Sequence, residues 1–272
     1  RIVIGSVLPQ TGPPSLIGKA AVIALRVWEK DVNARGGIHG RKIDLRVEED
    51  AYVPQRSVQA VKKLIDVDKV FALLGTSGSS HLLAMMPTIE EHQIPALNFA
   101  AVAGAHFTPP RKTVFNIGAT YCQEIDGVMK HLITSRKLQG AKFAIIYQDD
   151  DYGADVKCGY DAALKGLGLS SSAAVAYKRG AKDLSAEVLA VQRAGATFVL
   201  TGGIITETAT MLKEIQKNGM NVVRLAPHPS HIGPVLALAG SAAEGLLLAD
   251  YVPPITDTET QGIGRLNALA YK

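Results

Sequence analysis

The chain has 272 residues, 47% hydrophobic and 20% charged, with a formal net charge of +4 spread along its length. That length exceeds the usual single domain and predicts two compact lobes, each with its own buried core. No apolar run reaches the roughly 18 residues of a membrane span, and no basic run is dense enough for a nucleic-acid footprint. The two cysteines, Cys122 and Cys158, form no C-x-x-C pair. They leave two readings open, buried small side chains or one disulfide in an oxidising compartment.

In chain order, apolar runs of strand length alternate with segments of helical period. "IVIGSVL" (2–8) reads as a buried strand. After "PQTGPPS", Ala21, Leu25, Trp28 and Val32 recur every three to four residues and mark a helix face, stopped at Gly36-Gly37. These two glycines predict a left-handed helix end, "IHG" predicts a second tight turn, and Arg41 and Lys42 fall at the mouth of the next strand. "KIDLRVEED" places Ile43, Leu45 and Val47 on one strand face, Val58, Val61, Leu64 and Ile65 give a helix, and "KVFALLG" (69–75) a strand. A helix (79–92) and strands at 94–99 and 113–118 follow.

The alternation then restarts. Helices are predicted over 121–137, 153–166, 184–194, 206–217 and 231–239, and strands over 142–148, 173–177, 197–202, 221–226 and 244–250. Strands apolar on both faces, each followed by a helix, mean parallel sheets covered on both sides. The fold class is therefore α/β, two doubly wound parallel-sheet lobes, with ligands expected at the carboxyl ends of the strands.

Four stretches carry candidate chemistry. "LLGTSGSSHLL" (73–83) is a strand, a small-residue turn and a helix, where backbone N–H groups can approach an anion. No G-K-[ST] follows, and Ser79 stands where the last glycine of G-x-S-x-G would be, so neither a P-loop nor a nucleophile elbow is present. Plain helix capping by Ser77 or Ser79 is the alternative. "NFAAV" (98–102) lies after the next strand, and "YQDDDYG" (147–153) opens a helix with three aspartates, read as a solvated entry loop rather than a metal site. "APHPSHIG" (226–233) has two histidines, but no further ligands accompany them for zinc.

The order and spacing of "LPQTG", "VNARGGIHGRKIDLRVEEDA", "KLIDVDKVFALLG", "IPALNFAAVA", "DDDYG", "AEVLAVQRAGATFVLTGG" and "AAEGLLLADY" resemble the branched-chain-amino-acid family of periplasmic solute-binding proteins. The resemblance covers essentially the whole chain. It implies a type I periplasmic-binding-protein fold with a hinge, a first lobe over 1–118, a second over 119–250, and residues 251–272 crossing back toward the first. Family chains run on beyond the point where this one stops, at "RLNALAYK". The resemblance also implies a mature exported protein in the periplasm, acting as a monomer, that traps a small carboxylate and delivers it to the membrane permease of an ABC importer. No cofactor, metal, nucleic acid or membrane insertion is implied.

Residue by residue, the family's carboxylate-binding serine matches Ser79. Ala100 and Val102 match positions that act through backbone groups, the latter often a threonine. Tyr152 matches a tyrosine that covers the ligand from the other lobe. Ile17 stands where tyrosine is frequent, Ile204 where an aromatic is frequent, and His228 where an acid holds the ligand's α-ammonium. Together these replacements point to a pocket that keeps the carboxylate end and drops the ammonium end, as for an aromatic acid such as a benzoate or phenylpropenoate. The other readings are an amino-acid-binding protein, a ligand sensor on the same fold, and a serine hydrolase using Ser79, His228 and Asp150, which the broken elbow disfavours.

Overall fold

Short runs rich in Ile, Val and Leu, bounded by polar or glycine-containing segments, become strands, and the amphipathic segments between them become helices. The computed structural model describes residues 1–99 and 101–251, apart from the Ile232 side chain. The described residues divide into two compact units, 1–118 and 119–251. The expected return segment lies outside the described residues from Val252 onward.

The first unit contains β1 (Ile2–Val7), α1 (Ser15–Ala34), β2 (Ile43–Glu48), α2 (Pro54–Asp66), β3 (Ala72–Thr76), α3 (Ser79–Glu91), β4 (Ala96–Asn98) and β5 (Val114–Asn116). Its five strands pair in the order β2-β1-β3-β4-β5, all in parallel. Val7, Leu73, Ala96 and Val114 pack with Val61 and Leu64 of α2 and Leu82, Met85 and Ile89 of α3. A second cluster joins Ile4, Ile43 and Leu45 to Leu25, Trp28 and Val32 of α1. The sheet is therefore covered by helices on both faces.

The glycine pair after α1 behaves as its sequence predicts. Gly36 and Gly37 have φ of +99° and +83°, and the Gly37 N–H closes onto Val32 O at 2.9 Å. A Cβ at Gly37 would come 2.2 Å from Arg41 O, so only glycine fits. Ile38 and Arg41 then exchange backbone hydrogen bonds of 2.9 Å, forming the second turn. Arg41 and Lys42 are exposed. Both are anchored to the scaffold, Arg41 donating to Arg1 O at 2.9 Å and Lys42 to Asn33 O.

The second unit contains α4 (Tyr121–Ser135), β6 (Phe143–Gln148), α5 (Asp151–Gly166), β7 (Ser171–Tyr177), α6 (Ser185–Arg193), β8 (Phe198–Gly202), α7 (Ile205–Lys217), β9 (Val223–Ala226), α8 (Ile232–Ala239) and β10 (Leu247–Leu248). Strand order is β10-β9-β8-β6-β7, again all parallel. In order of appearance this is the same 2-1-3-4-5 pattern as in the first unit. The strand expected over 244–250 shortens to two residues. Gly245 turns with φ of +74°, and Leu246 N bonds back to Ala243 O at 3.0 Å instead of joining the ladder.

Ala144, Ile146 and Val199 pack with Val188 and Val191 of α6 and Met211 and Ile215 of α7. Helices α4 and α5 lie so close that a Cβ at Gly159 would meet Cys122 O at 2.4 Å. A disulfide between Cys122 and Cys158 joins them, closing the alternative that the sequence left open. A disulfide fits an oxidising compartment.

Candidate functional site

In each sheet the strand order reverses beside the first strand, and crevices outside such reversal points are where ligands collect. In the first unit that point lies between β1 and β3. Ser6 Oγ donates across it to Gly75 O at 3.2 Å. Gly78 then turns the chain with φ of +99°, and no side chain caps α3. The turn admits only glycine, because a Cβ there would come 2.1 Å from the His81 ring.

Ser79 opens α3 and is 2% exposed, and its Oγ is buried without a hydrogen-bond partner. The capping alternative for Ser79 therefore fails, since the cap position is Gly78 and the hydroxyl caps nothing. An unsatisfied buried hydroxyl costs about 1–3 kcal/mol, and the N-terminus of a 13-residue helix favours an anion beside it. The Ser79 carbonyl is fixed by the buried His106, whose Nε2 donates to it at 3.0 Å.

The loop after β4 is tied to the same place. Asn98 Oδ1 accepts from Thr76 N at 3.2 Å, and Asn98 Nδ2 donates to Ala101 O. Val102 is fully buried in that loop. Ile17 is half-buried in the first turn of α1, and Ala100 lies outside the described residues. Tyr52 stacks on His81 at 4.4 Å, a contact that the sequence reading missed.

In the second unit the reversal lies between β6 and β8. Asp150 caps α5 by accepting from Gly153 N at 3.1 Å. Its other oxygen accepts from Gln148 Nε2 at 2.6 Å and Arg179 Nη2 at 2.5 Å. Asp149 and Asp151 are exposed, but the Asp150 side chain is only 9% exposed, so the reading of all three as solvated is corrected at its middle residue. Asp150 is also removed as the hydrolase orienter.

Tyr152 is 2% exposed and its hydroxyl donates to Gly203 O at 2.9 Å, spanning the reversal point. Ile204, 4% exposed, follows at the start of α7 without capping it. His228 stands just past the end of β9. Its backbone N–H donates to Glu124 Oε1 at 3.0 Å and its Nδ1–H to Glu124 Oε2. The imidazole stacks on Tyr121 at 5.1 Å, and Tyr152 meets the Tyr121 ring edge-on at 4.9 Å, forming a chain of rings. Tyr251 closes the chain edge-on to His228 at 4.8 Å. Burial, with the nearby charges of Glu124 and Asp250, pushes the Tyr251 phenol up to about 12, so it stays a neutral hydroxyl.

Within the first unit the fold thus gathers Ser79 and Val102 about one strand-end edge, and within the second it gathers Tyr152, Ile204 and His228. Sequence reasoning missed Tyr121, Glu124 and Tyr251. Glu124 was detectable as an acid sharing the buried face of α4 with Tyr121, Ile125 and Met129. Among the described residues, no group of three or more His, Cys, Asp or Glu is placed to hold a metal. No helix among them is long and apolar enough to cross a membrane.

Residues 1–267 match a family model described as periplasmic binding protein. Among curated proteins, the chain is 27% identical over 224 residues to Leu/Ile/Val-binding protein homolog 7 of Brucella suis, covering 80% of this chain and 56% of that one. It is 28% identical over 223 residues to an amino acid binding protein of Pseudomonas aeruginosa, covering 80% and 58%. The chain therefore spans somewhat more than half the length of these relatives. A substrate-binding periplasmic protein of Ralstonia solanacearum superposes with a TM-score of 0.92 at 25% identity, covering 100% of this chain and 76% of that one. A fatty acid ABC transporter substrate-binding protein of Thermomonospora curvata superposes with a TM-score of 0.90 at 25% identity, covering 99% and 68%. With its fold and nearly its whole length matched, the chain belongs to the periplasmic binding protein family and has the type I fold of the branched-chain-amino-acid-binding proteins.

Proposed function

We propose that the protein is the extracytoplasmic substrate-binding component of an ABC importer, capturing a small carboxylate without chemical turnover and passing it to a membrane permease. The observation that carries this reading is Ser79, a buried hydroxyl with no partner at the N-terminus of α3. A ligand carboxylate would satisfy that hydroxyl and the positive end of the helix together. The remainder of the ligand is an aromatic body. Its support is the chain of rings formed by Tyr152, Tyr121, His228 and Tyr251, beside the apolar Ile204. Val102 and Ile17 would add methyl surface, and Ala100 a backbone contact.

The names of relatives support the coarser part of the proposal. One similar structure is titled a fatty acid ABC transporter substrate-binding protein, an acid joined to an apolar body. Amino-acid binding is the second reading, favoured by the named relatives and by Glu124, a buried carboxylate near the position matched to the family's acid. Glu124 is committed, however. Both oxygens accept from His228, and its side chain is 2% exposed. An ammonium would meet that charge only through the imidazole.

The test is a thermal-shift screen followed by calorimetry with aromatic acids, aliphatic acids and amino acids. A cognate ligand at 100 times its dissociation constant should stabilise the protein by about 2.7 kcal/mol. Chemically altered ligand recovered after long incubation would contradict a pure binding role.

A further inference from the structure

We infer that Glu124 is a specificity-determining residue: it locks the tautomer of His228 so that Nε2 reads a hydroxyl group on the ligand. This rests on the proposal that the site takes a carboxylate with an aromatic body. A histidine's free nitrogen is set by the hydrogen bond its other nitrogen makes. Here Nδ1 lies against a carboxylate, which can only accept, so Nδ1 carries the proton. Glu124 also accepts the His228 backbone N–H at 3.0 Å, which fixes the residue as well as its ring. Stacking on Tyr121 and the edge of Tyr251 set the ring plane.

In the Nδ1–H tautomer Nε2 is an acceptor, on a side chain that is 12% exposed. His228 follows β9 at the carboxyl edge of the sheet, on the same edge as Tyr152 and Ile204. A ligand hydroxyl donates to such a nitrogen, whereas an ether oxygen at the same ring position cannot. A site that offers an acceptor to a ligand hydroxyl discriminates against an analogue that lacks the donor. Glu124 acts through His228 and is a positioning residue.

The experiment compares benzoate, 4-hydroxybenzoate and 4-methoxybenzoate by calorimetry, together with 15N NMR of the histidine ring nitrogens in the unliganded protein. The expected result is at least about a tenfold preference for the hydroxyl compound over both others, on the scale that pocket hydrogen bonds discriminate. His228 should show a protonated Nδ1. Glu124→Gln should shrink the preference severalfold, and Glu124→Asp should restore part of it. A preference surviving Glu124→Gln, a methoxy compound bound as tightly as the hydroxyl one, or Nε2 protonation in the NMR spectrum would overturn the inference. The NMR result on the unsubstituted protein decides the tautomer even where a variant fails to fold. Failure of all three acids to bind would overturn the carboxylate proposal and this one with it, whereas binding without hydroxyl preference overturns only this one.

Discussion

In the first lobe the strand-end edge is made of a buried serine hydroxyl, backbone groups and small side chains. In the second, the corresponding edge is made of aromatic rings in contact and a histidine held by a glutamate. Both edges sit on sheets of one strand order, and both rely on a glycine in the first turn or so of a helix. A Cβ at Gly18 would come 1.8 Å from Pro9 O, and one at Gly153 the same distance from Gln148 O. Topology thus fixes where each edge lies, and a handful of side chains decides its chemistry. The lobes also differ in their covalent support, since only α4 and α5 of the second are joined by a disulfide among the described residues.

The largest effect expected from breaking this comparison is loss of that crosslink. The cysteines are 36 residues apart, and a loop of that size is worth about 4 kcal/mol in the chain-entropy model. Replacing both with serine should lower the denaturant midpoint of the second lobe and leave the first nearly unchanged. A uniform loss in both lobes would show that the crosslink is not local in effect.

The matched glycines come next. Gly18→Ala and Gly153→Ala each force a methyl into a backbone carbonyl, and overpacking of this kind costs about 1–3 kcal/mol. Chemical denaturation should find the first change in lobe one and the second in lobe two, with similar losses. A silent substitution at either site would mean that the helix start there can shift.

Ser79→Ala tests the first edge alone. A hydrogen bond to a charged group contributes about 1.5–3 kcal/mol, so carboxylate affinity should fall roughly ten- to a hundredfold with the fold intact. Unchanged affinity would remove Ser79 from the site.

The smallest effect concerns pH. Burial raises the Glu207 carboxyl above its ordinary range, against partial relief from Thr206. A raised acid binds its proton more tightly when folded, so the charged carboxylate burdens the native state above that shifted value and not below the ordinary one. Glu207→Gln should therefore be more stable than the parent at neutral pH, with the difference closing as pH falls toward the ordinary glutamate range. A constant difference across pH would assign the effect to packing instead.

Much of this architecture was legible because buried parallel strands announce themselves as continuous apolar runs, as in "FAIIYQ" of β6. Ser79 was singled out by the family resemblance, because the small-residue turn alone left helix capping open. Strand β10 was overextended because "EGLLLAD" is apolar enough for a strand, while the Gly245 turn that shortens it is a backbone matter. Glu124 was missed because its partner lies 104 residues away, and nothing in "YCQEIDG" names His228. Asp150 was misjudged for a related reason, its charge being absorbed by Arg179, 29 residues on.

The central claim is that the protein binds a carboxylate joined to an apolar, aromatic body. Calorimetric titration of the purified protein against leucine, valine, aliphatic acids and benzoate- or phenylpropenoate-type acids tests it most directly. The account predicts that an aromatic acid binds most tightly, and leucine, valine or another free amino acid binding more tightly than every acid tested would contradict it.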